Sequence, residues 1–267
     1  MRRVAAILLL AGWGVALSGA SAMADDPVPL PRPRPHISMD PQSFREAAGP
    51  DFKSEEVTSE PSECRKRLDL IAATSAIPRL IGPGACGGGD MVQLDAVLVT
   101  GRARIPLKPS PVIRCAMAES LTAWIRDEAV PRVAAAGPAL RSVETYDDFN
   151  CRGRNRVFGA KMSEHGKGNA VDVRSFTLTD GHVMEVTDIK VAKELRALLR
   201  ESACARFTTV LGPGSDGYHE SHIHLDLAER SRGYRICQWE VREPKPEVPL
   251  PRPRPVLAGD PAPEQKP

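Results

Sequence analysis

Three features are missing from this sequence, and each absence removes a class of function. The first is net charge. Against 36 basic residues there are 34 acidic ones, and Arg2 and Arg3 lie in an N-terminal leader, so the chain that follows carries 34 of each. Nucleic-acid binding rests on a basic surface, so nucleic acid is not expected as a partner. The second is a Cys-x-x-Cys pair. Cys64, Cys86, Cys115, Cys151, Cys204 and Cys237 are even in number and widely spaced, which in an exported chain suggests three disulfides rather than a zinc ribbon. Sequence does not choose among the pairings; neighbours are expected to join, Cys64 with Cys86 and Cys204 with Cys237. The third is any long apolar run beyond the leader, so no membrane span is expected after cleavage.

The leader itself has Arg2 and Arg3, an apolar run from Val4 to Leu17, and an end at Ala22-Met23-Ala24. That is the pattern of a secretory signal peptide over residues 1–24, and the run is shorter than the ~20 residues of a membrane anchor. The protein is therefore expected in the periplasm or outside the cell. Val28 to Pro35 reads VPLPRPRP, and the same eight residues recur as Val248 to Pro255. Alternating proline fixes φ and removes donors, so both copies should be extended and unpacked. Residues 25–58 and 243–267 are thus expected to be proline-rich disordered arms around one domain over 59–242. A protein partner or acidic wall polymer docking on these Pro-Arg arms is the functional alternative to plain spacers.

Within the domain, spacing predicts a short helix over Arg65 to Ala73, a strand over Met91 to Val99, and a loop through Pro106, Pro109 and Pro111. A helix from Cys115 to Glu128, with Trp124 in the core, should end or kink at Pro131. Strands are expected over Leu140 to Tyr146 and Ala170 to Phe176. Val183 to Val186 should return as a hairpin partner, and a helix should start at Thr187 or Asp188.

Two stretches carry the chemistry: Ser163 to Asp172 (SEHGKGNAVD) and Tyr218 to Asp226 (YHESHIHLD). In the second, Glu220, His222, His224 and Asp226 share one parity and Ile223, Leu225 and Leu227 the other. A strand would thus bury the apolar set and turn imidazoles and carboxylates to one face. Such a face makes a poor core, whereas a cation shared among the groups satisfies their lone pairs. The first stretch adds His165 and Asp172, joined by small residues that let the backbone turn tightly. His165, Asp172 and one histidine of the second stretch would leave a zinc position open for water, with its pKa lowered towards ~7, which is amide hydrolysis chemistry.

Ser163-x-His165-x-x-Gly168-x-Ala170-x-Asp172 with His222-x-His224 resembles the zinc D-Ala-D-Ala carboxypeptidase and murein endopeptidase group, the LAS-type metallopeptidases. The wider wording from Cys151-Arg152-Gly153-Arg154-Asn155 to Leu211-Gly212-Pro213-Gly214-Ser215-Asp216 resembles the bacterial extensin-like C-terminal domain family. The resemblance implies Zn²⁺ as cofactor with ligands His165, Asp172 and His224, and His222 beside the metal as donor to the substrate carbonyl or oxyanion. It implies a peptidase acting on peptidoglycan stem peptides or cross-links that contain D-amino acids, on a Hedgehog/DD-peptidase-like fold.

One position departs from that pattern. Related peptidases commonly carry an acid directly before His-x-His, and here Ser221 stands in its place. Glu220, facing the metal side on the strand phasing, is the substitute expected as general base, and His219 is a second candidate. Arg152 and Arg154 suit a peptide carboxylate, or are simply two exposed loop arginines; Ser163, counted with them on the substrate side, suits local hydrogen bonding around the His165 turn rather than a nucleophile's role, and Asp226 suits orienting a ligand imidazole. The expected fold class is α+β: a single domain whose small antiparallel sheet carries the zinc site, with helices packed to one side. The alternative function is a non-catalytic, zinc-containing module that binds cell wall or a partner.

Overall fold

The structure, a computed structural model, describes residues 53–55, 60–100, 103–157 and 159–243. The signal peptide expected over 1–24 lies outside the described residues. So do the proline-rich arms, apart from 53–55 and Glu243.

The strands are β1 (Lys53–Glu55), β2 (Ala72–Ile77), β3 (Arg79–Ile81), β4 (Gly87–Gly88), β5 (Met91–Leu98), β6 (Arg104–Lys108), β7 (Val112–Arg114), β8 (Leu140–Asp147), β9 (Ala170–Leu178), β10 (Val183–Glu185), β11 (Thr209–Leu211), β12 (Ile223–Asp226) and β13 (Ile236–Gln238). The helices are α1 (Glu63–Leu68), α2 (Cys115–Trp124), α3 (Val130–Ala136) and α4 (Lys193–Arg206), with a π-helical turn Ile125–Ala129 joining α2 to α3. β1, β3 and β4 make a three-stranded sheet. The others form a ten-stranded sheet in the order β13-β11-β12-β9-β8-β6-β5-β2, with β10 beside β9 and β7 beside β5.

This is an α/β domain on a large mixed sheet, where a small antiparallel one was expected. β6 runs parallel to β8 and β11 parallel to β13. The extra strands are short or carry proline, which hid them: Pro106, a loop signal in sequence, lies in β6 opposite Ala96. The expected strands from Met91, Leu140 and Ala170 are present, and β10 returns along β9 as the hairpin partner.

Three helix boundaries differ from expectation. The helical course passes through Pro131 because the chain first widens: Val130 N–H reaches the Ile125 carbonyl, and Pro131 then falls in the first turn of α3, where a missing N–H costs nothing. The last helix begins at Lys193 rather than near Asp188. The Asp188 carboxylate accepts from Lys190 N at 2.9 Å and its carbonyl from Val191 N at 3.1 Å, closing a local turn that competes with helix. Likewise α1 stops at Leu68, and Ala72 and Ala73 open β2.

α2, α3 and α4 cover the apolar face of the sheet. Trp124 is fully buried, its ring 6.3 Å from both Phe176 and Phe207, and its indole N–H donates to Ser202 Oγ at 3.0 Å. Leu195, Leu199 and Ala203 supply the inner stripe of α4.

The disulfides are Cys64–Cys115, Cys86–Cys151 and Cys204–Cys237. The last was expected; Cys64–Cys86 was not formed. α1 lies on α2, where the Arg67 guanidinium forks onto Glu119 at 2.7 and 2.9 Å, so Cys64 meets Cys115. The β3–β4 turn carries Cys86 to the loop after β8. Three disulfides fit an oxidising compartment. No helix among the described residues is long and apolar enough to cross a membrane.

Candidate metal centre

The centre is built across neighbouring strands. In the sheet register Asp172 of β9 stands opposite His224 of β12 on one side and Asp147 of β8 on the other. Alternate residues face opposite ways, so Val171, Val173, Ile223 and Leu225 enter the helix-covered core while Asp172, His224 and Asp226 face away from it. His165 arrives from the 3₁₀ turn His165–Lys167 just before β9. Gly168, at φ +65°, closes that turn by donating its N–H to the His165 carbonyl at 3.0 Å. Beneath it the buried Glu164 carboxylate accepts from Lys167 Nζ at 2.6 Å and Asn169 Nδ2 at 2.7 Å.

Hydrogen bonds at the outer edges assign the protons. His165 Nδ1 is 2.8 Å from the Asp148 carbonyl, which can only accept, so Nδ1 carries the proton. His224 Nε2 is 3.1 Å from Asp226 Oδ2 and donates to it. The inner nitrogens, His165 Nε2 and His224 Nδ1, then present lone pairs to each other at 3.0 Å. Asp172 Oδ1 lies 3.2 Å from the first and 2.9 Å from the second. Three buried electron-rich atoms repel unless a cation lies among them.

These donors fit a metal ion. All three lie within 4.8 Å of one another, and with metal–ligand bonds of ~2.1 Å a tetrahedral edge is about 3.4 Å, a few tenths of an ångström beyond the separations here. Without metal the cluster takes a proton instead. Burial opposes charge on His224, but the hydrogen bonds to Asp172 and Asp226 outweigh it and push its pKa up to about 9. Burial also works against charge on Asp172, yet His165, His222 and His224 hold its carboxyl well below the usual range. A second grouping, Cys64, Asp90 and Cys115, has both sulfurs in a disulfide and offers no thiolate.

The remaining predicted residues are placed less uniformly. His222, just before β12, is buried with Nε2 3.4 Å from Asp172 Oδ2, its ring 4.7 Å from that of Tyr146. Its buried Nδ1 has no hydrogen-bond partner among the described residues. Glu220 does not follow the strand phasing expected of it. β12 starts only at Ile223, and the half-exposed Glu220 carboxylate accepts from Gly214 N at 2.8 Å and Arg242 Nη1 at 3.0 Å. Arg152 is committed to the buried Asp147 carboxylate at 2.9 Å, and Arg154 is exposed. Ser163 is buried, its N–H on the Arg152 carbonyl at 3.0 Å.

His219, second in line in the sequence, has its ring 5.3 Å from His222 and 5.6 Å from His224. Its Nδ1 is 2.6 Å from Asp216 Oδ1, and Asp216 is steadied in turn by Tyr218 N at 3.0 Å. Burial lowers the His219 pKa against the pull of Asp216. Sequence reasoning missed this carboxylate, although its spacing three residues before His219 in a Gly-rich turn was a signal. It also missed Tyr146 and the Asp148 carbonyl; a backbone acceptor leaves no trace in residue identity.

Searches of curated proteins and of solved structures returned no match. A family model described as "Extensin-like protein C-terminus" matches residues 62–238. That match runs from the cap of α1 to the end of β13 and takes in both halves of the centre, so the chain belongs to the extensin-like protein C-terminus family.

Proposed function

We propose that this is an exported zinc-dependent peptidase of the D-Ala-D-Ala carboxypeptidase and murein endopeptidase type, with the Hedgehog/DD-peptidase-like arrangement of its site. Its substrate would be peptidoglycan stem peptides or cross-links containing D-amino acids. The observation that carries the reading is the convergence of His165 Nε2, Asp172 Oδ1 and His224 Nδ1, with both outer nitrogens already tied to acceptors. Bound there, zinc supplies Lewis acidity and an acidified water. His222 stands beside the centre with Nε2 3.4 Å from Asp172 Oδ2; its other ring nitrogen, Nδ1, has no partner among the described residues and would donate to a substrate carbonyl only when the ring is an imidazolium. His219 keeps its proton at Nδ1 for Asp216, which leaves Nε2 to accept one. That pairing favours His219 over Glu220 as the base, since Glu220 is held in an ion pair with Arg242.

The same ion pair, with Ser221 where an acid is expected, supports a second reading: a zinc-containing module that binds cell wall or a partner without cutting. Purified mature protein should hold close to one zinc per chain, and His165→Ala with Asp172→Ala should lose it; metal-free native protein would defeat both readings. Digestion of purified peptidoglycan separates them. Muropeptides released in a chelator-sensitive way, lost in His219→Gln and retained in Glu220→Gln, support the peptidase. Pull-down without release supports the module.

A further inference from the structure

An open groove of about 260 Å³ lies between the end of α3 and the connection from β10 to α4, walled by Val133, Pro138, Leu178, Val183, Met184 and Leu195. It is smaller than the roughly 300–1,000 Å³ of sites that enclose small molecules, and its apolar wall reaches the surface at Val183, 52% exposed.

The described chain ends beside this groove. Arg196, itself 1% exposed, donates Nη2 to the Arg242 carbonyl at 2.7 Å and Nε to the Val191 carbonyl at 2.9 Å. One guanidinium thus ties the departing C-terminal segment to the residue that rims the groove. Lys193, next to the lining residue Ala192, adds an ion pair to Glu243. Five residues beyond Glu243 begins the C-terminal VPLPRPRP copy. At ~3.1 Å per residue in polyproline II that gap spans about 16 Å, enough to pass the first turn of α4.

We propose that Val248–Pro255 docks in this groove of its own chain. Val248, Leu250 and the prolines match the apolar wall. Arg252 and Arg254 match the acids that line it, Glu185 and Asp188, although Lys190 and His182 line it too. A proline-alternating strip has little conformational freedom to lose on docking. The N-terminal copy has the same residues, but the C-terminal one starts a few residues from an anchored point, which places it at the high effective concentration of a short linker.

The test uses the full mature chain. With a photo-crosslinking phenylalanine analogue at position 250, illumination should join that position to residues between Val183 and Leu195 of the same molecule. Amide exchange over residues 182–192 should speed up several-fold in Leu250→Asp, a change outside the folded domain. Crosslinks between differently labelled molecules, crosslinks to another surface, capture of the groove from position 30 but not 250, or unchanged exchange in Leu250→Asp would each overturn the proposal.

Discussion

Asp226 shows most directly how single residues tune the centre. It accepts from His224 Nε2 and so turns Nδ1 towards Asp172 and His165. If the centre holds the zinc proposed for it, Asp226→Asn should weaken that binding about 10–100-fold by titration against a competing chelator, whereas Glu220→Gln should leave it unchanged. Much of this residue-level picture was legible in sequence, because parity alone sorts His224 and Asp226 from Ile223 and Leu225. Parity failed at Glu220, where it was extended past the end of the strand. What fixes the His165 tautomer, the Asp148 carbonyl, belongs to the backbone and is the same for any residue at that position.

At the level of elements, the packing of α2 against α4 depends on one polar bond in an apolar interior, Trp124 Nε1 to Ser202 Oγ. Ser202→Ala leaves that N–H buried without a partner and should cost about 1–3 kcal/mol in urea unfolding. α1 is tied to α2 by Arg67 and Glu119. The Arg67 hydrogen bond holds the Glu119 carboxyl below its ordinary value of 4.5. A carboxylate with a lowered folded-state pKa stabilises the fold above its unfolded value and loses that contribution as pH falls through the folded one. The Tm deficit of Glu119→Gln at neutral pH should therefore shrink as the solution is acidified below pH 4.5. Long elements with regular patterns, β5, β8 and β9, were readable in advance. The π-helical turn before Pro131 and the late start of α4 were not, since the first depends on one backbone bond from Val130 to Ile125 and the second on two bonds to Asp188 that divert a strong local signal.

For the molecule as a whole, Cys86–Cys151 couples stability to the centre. It closes a separation of 65 residues, worth about 4 kcal/mol in the chain-entropy account. It also holds the loop in which Asn150 donates its N–H to the His165 carbonyl at 3.3 Å. Cys86→Ala with Cys151→Ala should thus lower both urea resistance and affinity for the zinc proposed at the centre, while loss of Cys204–Cys237 should lower only the first. The mixed sheet gives the row Asp147, Asp172 and His224 a further meaning. A slip of β12 by one residue along β9 would turn Ile223 and Leu225 outward and His224 and Asp226 inward, taking His224 away from Asp172 and His165. Uptake of the metal proposed for this centre would then report on strand alignment, and so on folding itself.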